Sequence, residues 1–298
     1  MLQNIFPVIL FLFLGYFFKK IEFITRDQSL FLLKIVFYIA APSTIFLAIK
    51  NTKLEFQFIY LALSALIIIL LTFFVMVFFL LKKNIAKIKK GVLLIAATIM
   101  NLGFMLPVAI LFFGDAGVAR LTMIDIVNIF FALTLCHYIA IRYGTNHNSF
   151  TKKEILLKII SAPVFIALIL GLAFNLTRLY LPSILEQSVF LLNSMTVPMT
   201  LIATGSFLSF KSLMQKEVFW GVLGRTVLGG LIGLVLFLIM PLDLTSSKIL
   251  LLSSIAPSGI LTIIFSGQEH LDTELAGSIV SLTIILSLIL IGVIGWIV

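Results

Sequence analysis

Ten apolar runs separated by short polar stretches leave this chain few ways to fold. With boundaries good to a few residues, they are 4–18, 29–49, 56–81, 88–113, 117–141, 155–176, 184–208, 218–240, 246–268 and 274–298. A helix rises ~1.5 Å per residue, so most of these runs can cross a hydrocarbon core ~30 Å thick. Inside a bilayer each backbone polar group needs a partner within the protein, which restricts spanning structures to helices and closed barrels. Continuous runs, rather than short alternating strands, select helices. Composition agrees: 61% of the 298 residues are apolar and 11% charged, more apolar surface than a soluble domain can hide. The expected fold is an all-α polytopic membrane protein of ten transmembrane helices.

The charges give that fold a direction. The formal net charge is +9, but its placement between apolar runs argues against a nucleic-acid partner and for the surface of a lipid bilayer. Lys19, Lys20, Arg26, Lys82, Lys83, Lys87, Lys89, Lys90, Arg142, Lys152, Lys153, Lys158, Lys211 and Lys216 fall in alternate loops. The other loops hold only Lys50, Lys53, Arg120, Arg178 and Lys248. The lysine-rich side is expected to be cytoplasmic, which puts both termini outside the cytoplasmic (inner) membrane. The first run has no positive residue before it and Lys19–Lys20 after it, the reverse of a signal peptide, and reads as a retained span. Cys136 is the single cysteine, so there is no intrachain disulfide, and no spacing suggests a metal or cofactor. Cys136 and His137 read as packing residues.

A shift of 156 residues superposes Pro7 on Pro163, Val8 on Val164, Leu12 on Leu168, Gly15 on Gly171, Pro42 on Pro198, Thr44 on Thr200 and Gly103 on Gly259. That offset divides the chain into a first five-helix repeat (1–143), a short cytoplasmic linker (144–154) and a second five-helix repeat (155–298). Five is odd, so the second repeat enters the membrane from the opposite side. Such an inverted repeat is the arrangement from which alternating access follows.

Within this frame the fourth and ninth runs stand out. The fourth carries Asn101, Gly103 and Pro107; the ninth carries Pro257, Ser258 and Gly259. The offset equates Asn101 with Pro257 near the middle of each run. Proline and glycine weaken the helical ladder. Two broken helices crossing at mid-membrane would aim the positive ends of their second halves at one point, a ready anion site. One such break alone is more often a kink or a close packing contact; the matched pair favours a site. Asp125 and Asn128 share a face of the fifth run. A carboxylate is costly to bury in charged form, so Asp125 is read either as a proton carrier or as support for the broken backbone of the fourth run. Pro42, Ser43, Pro198 and Thr200 are candidates to line the cavity, with back-bonding to their own helices the equal alternative. Arg225 could attract an anionic substrate, but it stands about seven residues from the cytoplasmic end of its run and is expected to snorkel. The Gly229–Gly233 spacing reads as helix packing. No phosphate loop, nucleophile elbow or metalloprotease motif is present, so an enzyme is not expected.

The Asn101-x-Gly103…Pro107 pattern, the APSGI segment at 256–260, the Gly267…Ala276 stretch and the early prolines of the second and seventh runs resemble the auxin efflux carrier family over essentially the whole chain. The resemblance implies ten spans, a scaffold and a transport domain with crossed fourth and ninth helices, carriage of an organic anion and a homodimer. Two departures are visible. Plant carriers have a proline where Met100 stands, and a long insert where residues 142–154 suffice, which points to a bacterial-type member. The related bile-acid symporter fold uses sodium, but no sodium-ligand cluster is evident. The sequence thus reads as a secondary carrier of a small organic anion such as a carboxylate, with no cofactor. A sodium-coupled symporter-like carrier and an anion channel are the alternatives.

Overall fold

The computed structural model describes residues 2–145, 157 and 161–297, and all regular elements among them are helical. Most of the expected 144–154 linker, with Lys152 and Lys153, and also Lys158 lie outside the described residues. Among the described residues, six helical stretches are long and apolar enough to cross a membrane: Arg26–Asn51, Phe58–Leu81, Leu102–Tyr143, Ser183–Phe207, Lys216–Ile239 and Thr273–Val293. Their outward faces carry Phe74, Phe78, Leu234 and Leu238, while Ser64, Thr72 and Thr98 are fully buried. That inversion of the soluble pattern suits a lipid solvent. The chain is a multi-pass membrane protein.

The helices in order are α1 (Leu2–Lys20), α2 (Arg26–Ile35), α3 (Ala41–Asn51), α4 (Phe58–Leu81), α5 (Lys87–Thr98), α6 (Leu102–Phe131) and α7 (His137–Tyr143). They continue with α8 (Pro163–Thr177), α9 (Ser183–Ser194), α10 (Thr196–Phe207), α11 (Lys216–Val222), α12 (Gly229–Ile239), α13 (Leu244–Ser254), α14 (Leu261–Gln268) and α15 (Thr273–Ile297). Thr25 starts α2 with a capping box, its hydroxyl and the Gln28 side chain each serving the other's backbone amide. Asp243 starts α13 by accepting from the Ser246 amide at 2.5 Å.

Several apolar runs are less regular than their hydropathy suggests. Wide π-helical turns at Val36–Ala40, Ala132–Cys136 and Leu223–Leu228 join α2 to α3, α6 to α7 and α11 to α12. The first of these absorbs the missing amide and ring bulk of Pro42 just beyond it. Gly114, with φ of 57°, breaks the helical path of α6 where the fourth run meets the fifth, a conformation glycine adopts with little strain.

Small residues set the closest packing. A methyl on Gly15 of α1 would lie 2.0 Å from the Ile202 carbonyl oxygen of α10, and one on Gly205 would lie 2.1 Å from that of Leu12. On α8 a methyl at Gly171 would come within 2.9 Å of Ile49 and 3.2 Å of the Phe46 carbonyl of α3. Backbones this close hold helices together by dispersion where lipid supplies no hydrophobic drive. The Asn175 amide group of α8 then donates to the carbonyls of Ile49, Lys50 and Thr52 at 2.8–3.0 Å, closing the end of α3. A second body forms around α5, α6 and α13, with α4, α11, α12, α14 and α15 packed about them.

Candidate binding site at two interrupted helices

The fourth and ninth apolar runs are each interrupted. Helix α5 ends at Thr98 and α13 at Ser254, and regular helix resumes only at Leu102 and Leu261. The two interruptions lie antiparallel and pair through their backbones. Asn101 N–H donates to the Pro257 carbonyl at 2.8 Å, Gly259 N–H donates to that of Ile99 at 3.0 Å, and Met100 bridges Ser258. Proline has no N–H, so Pro257 cannot return the bond to Asn101. The Asn101 carbonyl instead accepts from Met105 at 3.3 Å. The Ile255 carbonyl takes the Ser287 hydroxyl at 2.6 Å.

Side chains finish the pairing that the broken ladders leave open. Asn128 grips Met100 from both sides: its carbonyl oxygen accepts from Met100 N at 2.9 Å and its amide donates to Met100 O at 3.0 Å. The same amide reaches Asp125 Oδ1 at 3.3 Å. Asp125, half-buried, thus stands behind Asn128 and meets it rather than the break itself.

Arg225 does not snorkel. It has no solvent exposure, and its guanidinium donates to the carbonyls of Ala256 (3.1 Å), Ser254 (2.5 Å) and Ala97 (3.4 Å). One cation thereby holds the carbonyl ends of α5 and α13 together, where helix dipoles are negative. Its position within the wide turn Leu223–Leu228 is what aims it inward rather than along the helix surface. Among the described residues, none of the ion pairs includes Arg225.

Asn101 faces the other way. Its Oδ1 caps α6 by accepting from Phe104 N at 3.1 Å, while its Nδ2 is buried and has no hydrogen-bond partner. A buried donor left unpaired costs about 1–3 kcal/mol, so this one is a natural place for an acceptor to bind. Gly103 beside it is exposed, and a methyl added there would meet only Asn101 Oδ1, at 3.6 Å. Ser258 is placed differently: its amide donates to Thr283 Oγ1 at 3.1 Å and its hydroxyl lies 3.3 Å from that of Thr262. Gly259 packs against Ile99. Of the residues singled out in the sequence, Asn101, Gly103, Pro257, Ser258, Gly259 and Asn128 therefore converge on one crossing, with Asp125 one bond removed.

Residues 1–295 match the family model described as membrane transport protein. The chain belongs to this family, that of the auxin efflux carriers. An uncharacterized transporter of Methanocaldococcus jannaschii is 31% identical over 301 residues, spanning 97% of this chain and 96% of the relative.

A second polar cluster in this family member lies on α3 and α10, which α6 packs against, and takes in Asn193 near the end of α9. The Thr44 hydroxyl is 2.7 Å from Asn193 Oδ1 and 2.7 Å from Thr196 Oγ1. Ser43 bonds back to Ile39 at 2.8 Å, whereas the buried Thr200 and Thr204 hydroxyls have no partner. Pro42 and Pro198 are half-buried beside them. A cleft of about 560 Å³, lined by Leu47, Asn51, Asp115, Glu186, Phe190 and Asn193, runs down to this cluster. Among the described residues no group of three or more His, Cys, Asp or Glu could hold a metal ion. Sequence reasoning did not single out Asn193 or Thr196, and it placed Arg225 at the membrane surface rather than in the interior. The glycines around Arg225, at 221, 224 and 229, were the available sign that its neighbours come close enough to enclose it.

Proposed function

We propose that the chain is a secondary carrier of a small organic anion, a carboxylate, which binds at the crossing of the two interrupted helices. The observation that carries this reading is the unpaired, buried Asn101 Nδ2 at the start of α6, beside the exposed Gly103 and a crossing that encloses the Arg225 cation. An amide donor, a helix N-terminus and a fixed positive charge favour a carboxylate over a neutral or cationic solute. Ser258, Gly259 and Pro257 shape the far side of the site, Asn128 and Asp125 brace it, and Thr44 and Thr200 line the approach.

The reading also takes the two halves as inverted repeats. In support, Gly15 meets Ile202 and Gly171 meets Phe46, contacts that the 156-residue offset exchanges. The paired interruptions, likewise, are joined by a bond from Asn101 N–H to the Pro257 carbonyl, the pair that the same offset equates. Helix α6 packs against α1, α3 and α10, whereas its counterpart α14 packs against α5, α7 and α15. Exchange of the two packings is the alternating-access step.

The experiment is a thermal-shift series on purified protein with organic acids, with and without sodium, at two pH values. A bound acid at a hundred times its Kd adds about 2.7 kcal/mol to the stability of the folded state. The expected result is stabilisation by a carboxylate in the wild type and at least tenfold weaker binding in Asn101→Ala, which remains folded with its ligand-free melting point lowered only by the lost cap on α6. Unaltered affinity in that variant refutes the site.

A further inference from the structure

Away from the crossing, a buried histidine and a buried glutamate face each other, and nothing in the carrier reading uses them. His137 opens α7 directly after the wide turn Ala132–Cys136, and is 5% exposed. Glu269 closes α14 and is 3% exposed. His137 Nε2 and Glu269 Oε1 are 4.0 Å apart. The imidazole also lies flat on the Phe265 ring of α14, with centroids 5.0 Å apart and planes 2° from parallel. The backbone holds the pair in place: Thr145 N–H donates to the Glu269 carbonyl at 3.1 Å, and a methyl on Gly144 would come within 2.2 Å of that oxygen. Glu269 Oε2 is buried with no hydrogen-bond partner.

These facts set the chemistry. A buried carboxylate with an unpaired oxygen is costly in charged form. Burial raises the Glu269 pKa, and His270 opposes that shift. An imidazolium facing the carboxylate and stacked on an aromatic face would be favoured by both neighbours. The other charged or titratable groups on the elements around the pair are Lys87, Lys89 and Lys90 on α5, Cys136 in the wide turn, Tyr138, Arg142 and Tyr143 on α7, Glu274 on α15 and Asp272 in the adjoining loop. Lys89 is engaged by Glu217 at 3.3 Å, and Asp272 Oδ1 accepts from Leu275 N at 2.9 Å.

We propose that His137 and Glu269 form a proton-binding site, holding one proton between them at the end of the half-helix α14. The proposal deepens the carrier reading, in which α14 is a moving element. Loss of the proton leaves a net negative charge enclosed against Phe265, so the empty site favours conformations in which water reaches it.

The test needs no substrate. The chain has three histidines, so nitrogen-15 histidine spectra of the full protein in nanodiscs give three imidazole signals; His137→Gln and His270→Gln assign two. The proposal predicts that the His137 midpoint falls by one pH unit or more in Glu269→Gln, tenfold in proton affinity, while His270 moves by much less. A His137 midpoint that stays put in Glu269→Gln, or an imidazole that stays neutral down to about pH 5, overturns it. Should His137→Gln fail to fold, the His270→Gln spectrum and the isosteric Glu269→Gln comparison still decide. Failure here with intact acid binding removes the proton site alone; failure of Asn101→Ala to alter binding removes the crossing site alone.

Discussion

Arg225 concentrates much of the crossing's stability in one side chain. Three carbonyls, those of Ala97, Ser254 and Ala256, rely on its guanidinium. Arg225→Gln should leave at least one buried carbonyl unpaired, at about 1–3 kcal/mol each, and lower the apparent melting temperature of the purified protein by several degrees. Arg225→Lys keeps the charge but not the planar fork, so it should fall between wild type and Arg225→Gln. Equal melting points for all three would contradict the assigned contacts. Asp243 offers a pH-dependent counterpart at the start of α13. Burial works against its charge, but hydrogen bonds from Ser246 and from Arg120, 2.6 Å away, outweigh it and hold its pKa below the ordinary carboxylate value. A depressed carboxylate contributes stability above its unfolded pKa and loses it as pH falls through the folded one. Asp243→Asn should therefore be less stable than wild type at neutral pH. The gap should close in acid, below the ordinary carboxylate range, and narrow in high salt because the group is partly exposed. Melting curves across acidic to neutral pH check this.

Glycine contacts govern the elements. Gly15 on α1 and Gly205 on α10 admit no methyl without backbone movement, so Gly15→Ala or Gly205→Ala should cost about 1–3 kcal/mol by overpacking. Gly267, where a methyl meets nothing within 4 Å, serves as the control, and detergent melting points separate them. The elements were legible in the sequence to the extent that hydropathy governs them. The interruptions at Asn101 and Pro257 were visible because proline and glycine act on their own helix. Arg225 was misread for the opposite reason: its partners lie on α5 and α13, and counting residues to the membrane surface says nothing of a wide turn that redirects a side chain. His137 and Glu269 were equally opaque, since their pairing depends on how the ends of α7 and α14 meet. Periodicity placed Asp125 and Asn128 on one face, and in the structure Asn128 holds the break while its amide also reaches Asp125.

For the molecule as a whole, the account rests on a bound anion crossing the membrane by exchange between two packings. A channel with the same helices would pass solute without that exchange. Solute counterflow in proteoliposomes separates the two most directly, using the acid that gives the largest thermal shift. Vesicles preloaded with that acid should take up its radiolabelled form transiently above equilibrium, and Asn101→Ala should lose at least nine-tenths of the overshoot. Uptake that only relaxes to equilibrium, or an overshoot undiminished in Asn101→Ala, would contradict a carrier with its site at this crossing.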